Sequence, residues 1–329
     1  MEKTNPKTRR GVPVKLIWFL ITIGICLSCI GSLAGFAQKR PIGRLLENAF
    51  YNAPLYLLLA VGAGLCMARG CINLSLPGTM SISMLVFGIA FRSGTAIVPA
   101  SLLAILSGAA YGALNGIFTI QRGRNIQLVT ALSSLLVGMA GTGFAAVISN
   151  MRNIKLEIGS RAYTTASIVF VVIGVAVCFL GAIGGKKLFR LNADDTPEVS
   201  GGNRFLWSVI AGMLAAMAGI FQAIRIQQLR INIGSDSTYQ VAIFFILVVA
   251  GILIPNVRRT YGEALFGLLS IIFAAFAYSV LNIICAVIGT ETTVNYIIYA
   301  VFGLLLLIPN LLIYRKKKEN TVPGEDWNQ

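Results

Sequence analysis

LIWFLITIGICLSCIGSLAGFA, residues 16–37, is about 22 residues long and carries no charged side chain. At a rise of 1.5 Å per residue, an α-helix of that length matches the ~30 Å hydrocarbon core of a bilayer. A polar, basic stretch precedes it, with Lys3, Lys7, Arg9, Arg10 and Lys15. A signal peptide has the same polarity, but its apolar region is only about 7 to 15 residues and ends at a small-residue cleavage site. The run therefore reads as a membrane span.

The pattern recurs along the chain. At about 20 residues per crossing, further candidates are 51–68, 71–91, 95–120, 126–149, 164–184, 205–224, 240–254, 261–288 and 293–314. Two of these depart from a plain span: 71–91 is broken by Pro77-Gly78, and 240–254 is short enough to be re-entrant. Non-helical backbone at membrane depth is tolerated only where protein or a water-filled cavity surrounds it. Composition agrees with the pattern, since 56% of the 329 residues are hydrophobic and only 12% are charged, against about 25% charged in a soluble domain. A soluble enzyme, a disordered chain and a disulfide framework are excluded. The expected fold is all-α: a polytopic transmembrane bundle of about ten segments, one or two of them broken or re-entrant.

Net charge is +15, from 27 basic and 12 acidic residues. The basic residues sit mainly in short segments between apolar runs, where they set topology and meet anionic lipid. No basic stretch is interleaved with aromatics as a base-stacking surface requires, so nucleic acid is not expected as a partner. With both termini inside, a ten-span arrangement puts 18 of the 27 basic residues on the inner side, and that bias predicts cytoplasmic termini. Residues 1–15 then form a basic cytoplasmic tail, 16–314 the membrane domain and 315–329 a second cytoplasmic tail. The longest inner connection, 186–204, mixes basic residues with Asp194, Asp195 and Glu198 around a Pro/Gly-containing turn. It reads either as a solvated loop or as a docking segment.

The chemistry of a catalytic site is missing from the sequence. There is no histidine, which disfavours a zinc enzyme, a Ser/His triad and a haem protein in their usual forms. All six cysteines lie in or beside apolar runs and read mainly as free thiols acting as small hydrophobes. The Cys26–Cys29 spacing has no second Cys or His pair to complete a metal site. Around the GK dipeptide at Gly185-Lys186, Leu180 and Lys187 occupy positions where a phosphate-cradling loop needs Gly and Ser or Thr. No cofactor, metal or catalytic residue is expected.

Proton-driven carriers hold Asp, Glu or His within their spans. Here Glu47, Glu157, Asp236 and Glu291 fall on outer loops, and Glu263, a turn into a span, has Arg258 and Arg259 nearby. Sodium coupling through backbone carbonyls stays open. What the spans do contain is neutral polar groups, including Asn73, Ser75, Thr79, Ser81, Ser83, Asn115, Thr130, Ser133, Ser134, Thr142 and Asn282. Each alone reads as a helix–helix hydrogen bond. Clustered around the interrupted Asn73 to Ser83 stretch, they point to a path for a neutral, polyhydroxylated or amide-bearing solute. Two stretches, SGAAYGALNGIF (107–118) and AGMLAAMAGIFQA (211–223), place small residues at four-residue spacing. That is the signature of a helix-packing ridge, and its recurrence hints at internal duplication of the kind found in transporters.

These residues resemble a known family, the permease subunits of bacterial ABC importers for simple sugars and nucleosides, the ribose-type branch that neighbours the branched-chain amino acid permeases. RGCINLSLPGTMSIS (69–83) is similar to the family's Gly-Gly-Ile-Asp/Asn-Leu-Ser motif in an interrupted helix. SLLAILSGAAYGALNGIF, followed by RNIQLVTAL with Asn125 and Thr130, resembles its Gly-rich span and the segment after it. SGGNRFLWSVIAGMLAAMAGIF resembles the end of its coupling loop and the next span, and FAYSVLNIICAVIGTETTVNYIIYAVFGLLLLI its C-terminal pair. The match covers most of 51–313 in the family's order. The chain departs from the pattern in its short, acidic NADDTPEVSGGN segment, in PNVRRTYG (255–262) where the family has Gly-Gly-Arg-Gly, and in Asn73, where sugar members often carry Asp.

The resemblance implies a subunit of the bacterial cytoplasmic membrane that catalyses no covalent step. It would pair with a second permease, identical or paralogous, with a cytoplasmic ABC ATPase and with an extracytoplasmic binding protein or lipoprotein. It implies a path at Asn73, Ser75, Asn115, Thr130 and Ser133, and ATPase docking at Arg190, Asp194, Asp195 and Glu198. Two alternatives remain: a stand-alone secondary carrier or channel, and a branched-chain amino acid or other small metabolite as the solute.

Overall fold

The computed structural model describes residues 14–36, 42–67, 71–120, 126–152, 154–188, 201–229, 231, 235–250 and 261–288, together with 294, 297–299 and 301. The described chain is an all-α bundle. Its elements run α1 (Val14–Phe36), α2 (Ile42–Met67), α3 (Leu76–Arg92), α4 (Ile97–Thr119), α5 (Ile126–Arg152), β1 (Ile154–Lys155), α6 (Ser160–Leu188), α7 (Gly201–Ile226), β2 (Gln228–Leu229), α8 (Ser235–Val249) and α9 (Tyr261–Ile288). Among the described residues, α2, α4, α5, α7 and α9 contain windows long and apolar enough to cross a membrane. The expected segment 293–314 falls almost wholly outside the described residues, as does the non-helical part of the expected coupling segment, with Arg190, Asp194, Asp195 and Glu198.

The helices sort by how much of their apolar surface is covered. The apolar window of α2 is 78% buried and that of α7 67%, against 22% for α4 and 33% for α5. A helix apolar all round and buried all round is a core element. Leu55, Leu58 and Leu59 of α2 pack with Ala211, Ala215 and Phe221 of α7, Ile246 of α8 and Tyr278 of α9. On α4 and α5, Leu102, Leu106, Leu132 and Leu136 point outward. In water such faces would be a liability; against lipid tails they are at home.

Lipid offers no hydrophobic gain for bringing helices together, so association depends on close packing, which small residues permit. The α4–α7 pair shows this directly and is the most extensive helix contact among the described residues. A Cβ at Gly108 would run into Ala216 and the Gly212 carbonyl, and one at Gly112 would lie 2.5 Å from the Ser208 carbonyl oxygen. The two stretches of similar sequence are thus two halves of one packed crossing.

Three boundaries differ from the sequence expectation. The interruption of the second crossing pair lies at residues 71–75, before Pro77, and Pro77 itself stands in the first turn of α3. Proline has no N–H to lose there, and its fixed φ suits a helix start. Second, α2 begins at Ile42 and runs through Pro54, so Glu47, expected on a loop, is an exposed helical residue. Third, α6 extends to Leu188 and α7 begins at Gly201, trimming the expected 186–204 loop from both ends; Arg204 is buried in α7. A two-residue antiparallel ribbon, Ile154 with Leu229 and Lys155 with Gln228, was not foreseen. It ties the end of α5 to the end of α7. Gln227 makes the turn with φ +56°, a left-handed conformation usual after a helix C-terminus.

Candidate translocation site

The five residues 71–75 have no helical ladder, so their backbone polar groups need other partners at membrane depth. Those partners come from α2, α5 and α8. Cys71 N–H donates to the Cys66 carbonyl at 3.2 Å. Ile72 N–H donates to Thr130 Oγ1 at 3.2 Å, and Thr130 in turn donates to the Gln127 carbonyl at 3.1 Å. Leu74 N–H donates to Ser134 Oγ at 2.9 Å. The single proton of Ser134 is within reach of two carbonyls, Ile72 at 3.2 Å and Ala131 at 3.0 Å. Gln240 Nε2 donates to the Leu74 carbonyl at 3.5 Å.

Asn73 folds its side chain back onto the same segment. Its Oδ1 accepts from Ser75 N–H at 3.0 Å and from Ser75 Oγ at 2.7 Å, and its Nδ2 lies 3.9 Å from Cys66 Sγ. This is the side-chain turn that makes Asn common at breaks in regular structure. The Ser75 carbonyl then accepts from the backbone N–H of Thr79 at 2.8 Å and from its hydroxyl at 3.0 Å, starting α3. Gly138 of α5 lets the break sit against it: a Cβ there would be 3.0 Å from Ser75 Cα.

Beside the break lies a small cleft. Its walls are Ala63 and Met67 of α2, Asn73 and Pro77 at the break, and Gln240 and Phe244 of α8, and none of its lining residues is charged. A mostly apolar concavity with a few polar groups is the usual form of a small-molecule site, but in the conformation described this one has room for only about one water-sized molecule.

Of the residues singled out from sequence, Asn73, Ser75 and Thr130 meet at the break. Ser133 does not join them; its hydroxyl stays on its own helix, 3.3 Å from the Thr130 carbonyl. Asn115 lies elsewhere, on the buried face of α4 with Gly108, Gly112 and Gly116, and both polar atoms of its carboxamide are buried without a hydrogen-bond partner. Asn282 makes helix–helix bonds, donating to Tyr56 Oη at 2.8 Å and accepting from Tyr299 at 3.3 Å. Ser134 and Gln240 were not singled out as site residues. The available signal was a carboxamide heading an otherwise apolar run, since polar side chains at membrane depth are costly unless they have a task.

No known family model matches this chain. Over 203 residues it is 26% identical to the Autoinducer 2 import system permease protein LsrC of Enterobacter sp. (strain 638), a match covering 55% of this chain and 56% of that relative. The match thus spans little more than half of the relative's length. A solved structure, PsaBC from Streptococcus pneumoniae in complex with Fab, aligns with a TM-score of 0.44 at 16% identity, over 84% of this chain and 95% of that one. Likeness at that level is too loose to assign topology or activity. The sequence relative and the apolar helices together bear out the resemblance read from the motifs: the chain is a multi-pass inner-membrane protein akin to an import-system permease.

Proposed function

We propose that this chain is the permease subunit of an ATP-driven importer and forms the path for a small neutral polar solute. The observation that carries the reading is the interrupted α2–α3 connection, whose backbone is held by α5 and α8 beside an uncharged cleft. Broken helices lining a cavity within the membrane are how transporters build solute sites. Simple sugars and nucleosides suit such uncharged surroundings, because they need hydrogen bonds and no counter-charge. A branched-chain amino acid is the alternative, and autoinducer 2, the cargo named for the relative's import system, is a further candidate.

In this reading Asn73 faces the solute's route, and Ser75 and Thr130 hold the wall. ATP hydrolysis takes place in a separate cytoplasmic ABC ATPase docked on 186–204, with Arg190, Asp194, Asp195 and Glu198 as its contacts. A second permease, identical or paralogous, completes the path, and an extracytoplasmic binding protein delivers the solute. The drive is the differential affinity of the nucleotide-bound ATPase for the two states of the permease pair.

The test is purification of the protein from its own membranes in detergent, identification of what accompanies it, and assay of ATP hydrolysis and reconstituted uptake. An ATPase together with a binding protein or lipoprotein is the expected result. A protein recovered alone that transports without ATP is instead a secondary carrier or channel.

A further inference from the structure

Cys66 lies in the last turn of α2, and Cys71 is the first residue of the break. Both thiols are free and buried. The Cys71 N–H and the Cys71 thiol both donate to the Cys66 carbonyl, each at 3.2 Å. A backbone bond returning from residue i+5 to residue i is the outer bond of a Schellman turn, in which the side chains of those two residues meet. Here both side chains are thiols, and they lie within hydrogen-bonding reach of each other. Three segments converge on the Cys66 sulfur, which sits 3.8 Å from the Trp207 carbonyl of α7 and 3.9 Å from Asn73 Nδ2. A bond between the two sulfurs would therefore join α2 to the interrupted segment at the point where α7 also touches it.

We propose that Cys66 and Cys71 are a redox modification site, whose reversible disulfide ties the break to α2 and arrests uptake. Buried thiols oxidise slowly, and the burial here also limits which oxidant arrives. Asn73, whose amide touches Cys66, lines a cleft with room for about one water-sized molecule. The oxidant is accordingly a small neutral hydroperoxide, hydrogen peroxide, and not a bulky disulfide. One thiol attacks a peroxide oxygen, the O–O bond breaks, and the thiol proton leaves with the departing oxygen as water, giving a sulfenic acid. The second thiol then attacks that sulfur and releases a second water. Two thiols and one peroxide thus become one disulfide and two waters, and thiol–disulfide exchange with a dithiol reductant reverses the step. The product is neutral, as its apolar surroundings demand. It replaces the hydrogen bond between the Cys71 thiol and the Cys66 carbonyl with a covalent link. The disulfide stands independently of the importer reading above, and its effect on uptake rests on that reading.

The experiment treats the complete reconstituted transporter with hydrogen peroxide, blocks the remaining thiols, and reads both the covalent state and ATP-dependent uptake of radiolabelled ribose, uridine and leucine. Trypsin cuts after Arg44, Arg69 and Arg92, so Cys66 falls on the peptide 45–69 and Cys71 on the peptide 70–92. A disulfide between them appears in the mass spectrum as a linked pair that dithiothreitol separates. The expected result is that linked pair in the wild-type chain, with loss of most uptake and its return on reduction. Cys71→Ser is expected to keep its uptake after peroxide. Absence of the linked pair overturns the proposal on the wild-type chain alone, whether or not the variant assembles. A linked pair with uptake unchanged, or uptake lost equally in Cys71→Ser, overturns the arrest. Reduced wild-type transporter that moves no solute of the panel with ATP defeats the importer reading and the arrest together, and the linked pair then decides the disulfide by itself.

Discussion

Ser134 sends its hydroxyl to the backbone of the interrupted segment, 2.9 Å from Leu74 N–H, while the hydroxyl of its neighbour Ser133 stays 3.3 Å from the Thr130 carbonyl of its own helix. The two serines therefore differ in what their removal leaves behind. Ser134→Ala strands a part-buried backbone N–H of the interrupted segment, a loss of about 1–3 kcal/mol. Ser133→Ala removes a bond that merely competes with the helix, so its effect stays within about 0.5 kcal/mol. Thermal unfolding of the two variants in detergent measures the contrast, and equal shifts would show that Ser134 does not pin the break. Asn115 poses the opposite case, a buried carboxamide with neither polar atom satisfied. An arrangement of that kind is destabilising in the conformation described.

At the scale of elements, the α4–α7 crossing is the most extensive helix contact among the described residues. Its closeness requires the absence of side chains at Gly108, Gly112 and Gly212, since each added Cβ would meet backbone or a short side chain that has no room to move. Gly112→Val is expected to destabilise by about 1–3 kcal/mol or to abolish membrane accumulation, through overpacking. Gly143 on α5 is the control: a Cβ there meets nothing within 4 Å, so Gly143→Ala should be neutral or stabilising by up to about 1 kcal/mol. Expression level and melting temperature report both. A tolerated Gly112→Val would mean that α4 and α7 are farther apart in the membrane.

For the molecule as a whole, the prediction concerns sidedness. The β1–β2 ribbon caps the α5 and α7 ends of the bundle, with Lys155 and Glu157 exposed. In the orientation we propose from the distribution of basic residues, that end lies outside the cell and 186–204 inside. Glu157→Cys is expected to react with a membrane-impermeant maleimide on intact cells or spheroplasts, and Ser200→Cys only after permeabilisation, each above the wild-type background. The reverse pattern would invert the proposed orientation and remove 186–204 from the reach of a cytoplasmic ATPase.

The membrane class, the helical content and most helix positions were legible in the sequence, because burial in lipid is a property of each run by itself: about 20 apolar residues cross wherever they occur. The Gly-rich ridges on 107–118 and 211–223 were legible as packing surfaces for the same local reason. That these two ridges are each other's partners was not, since small residues at four-residue spacing do not name what they pack against. Likewise Asn73, Ser75 and Thr130 could be read as a cluster around a break, but Ser134 and Gln240 belong with them only because α5 and α8 pass beside residues 71–75. An interrupted backbone must have its hydrogen bonds satisfied, and the sequence by itself determines that such partners exist. Which side chains serve depends on contacts between segments far apart in the chain, and only the tertiary structure decides that.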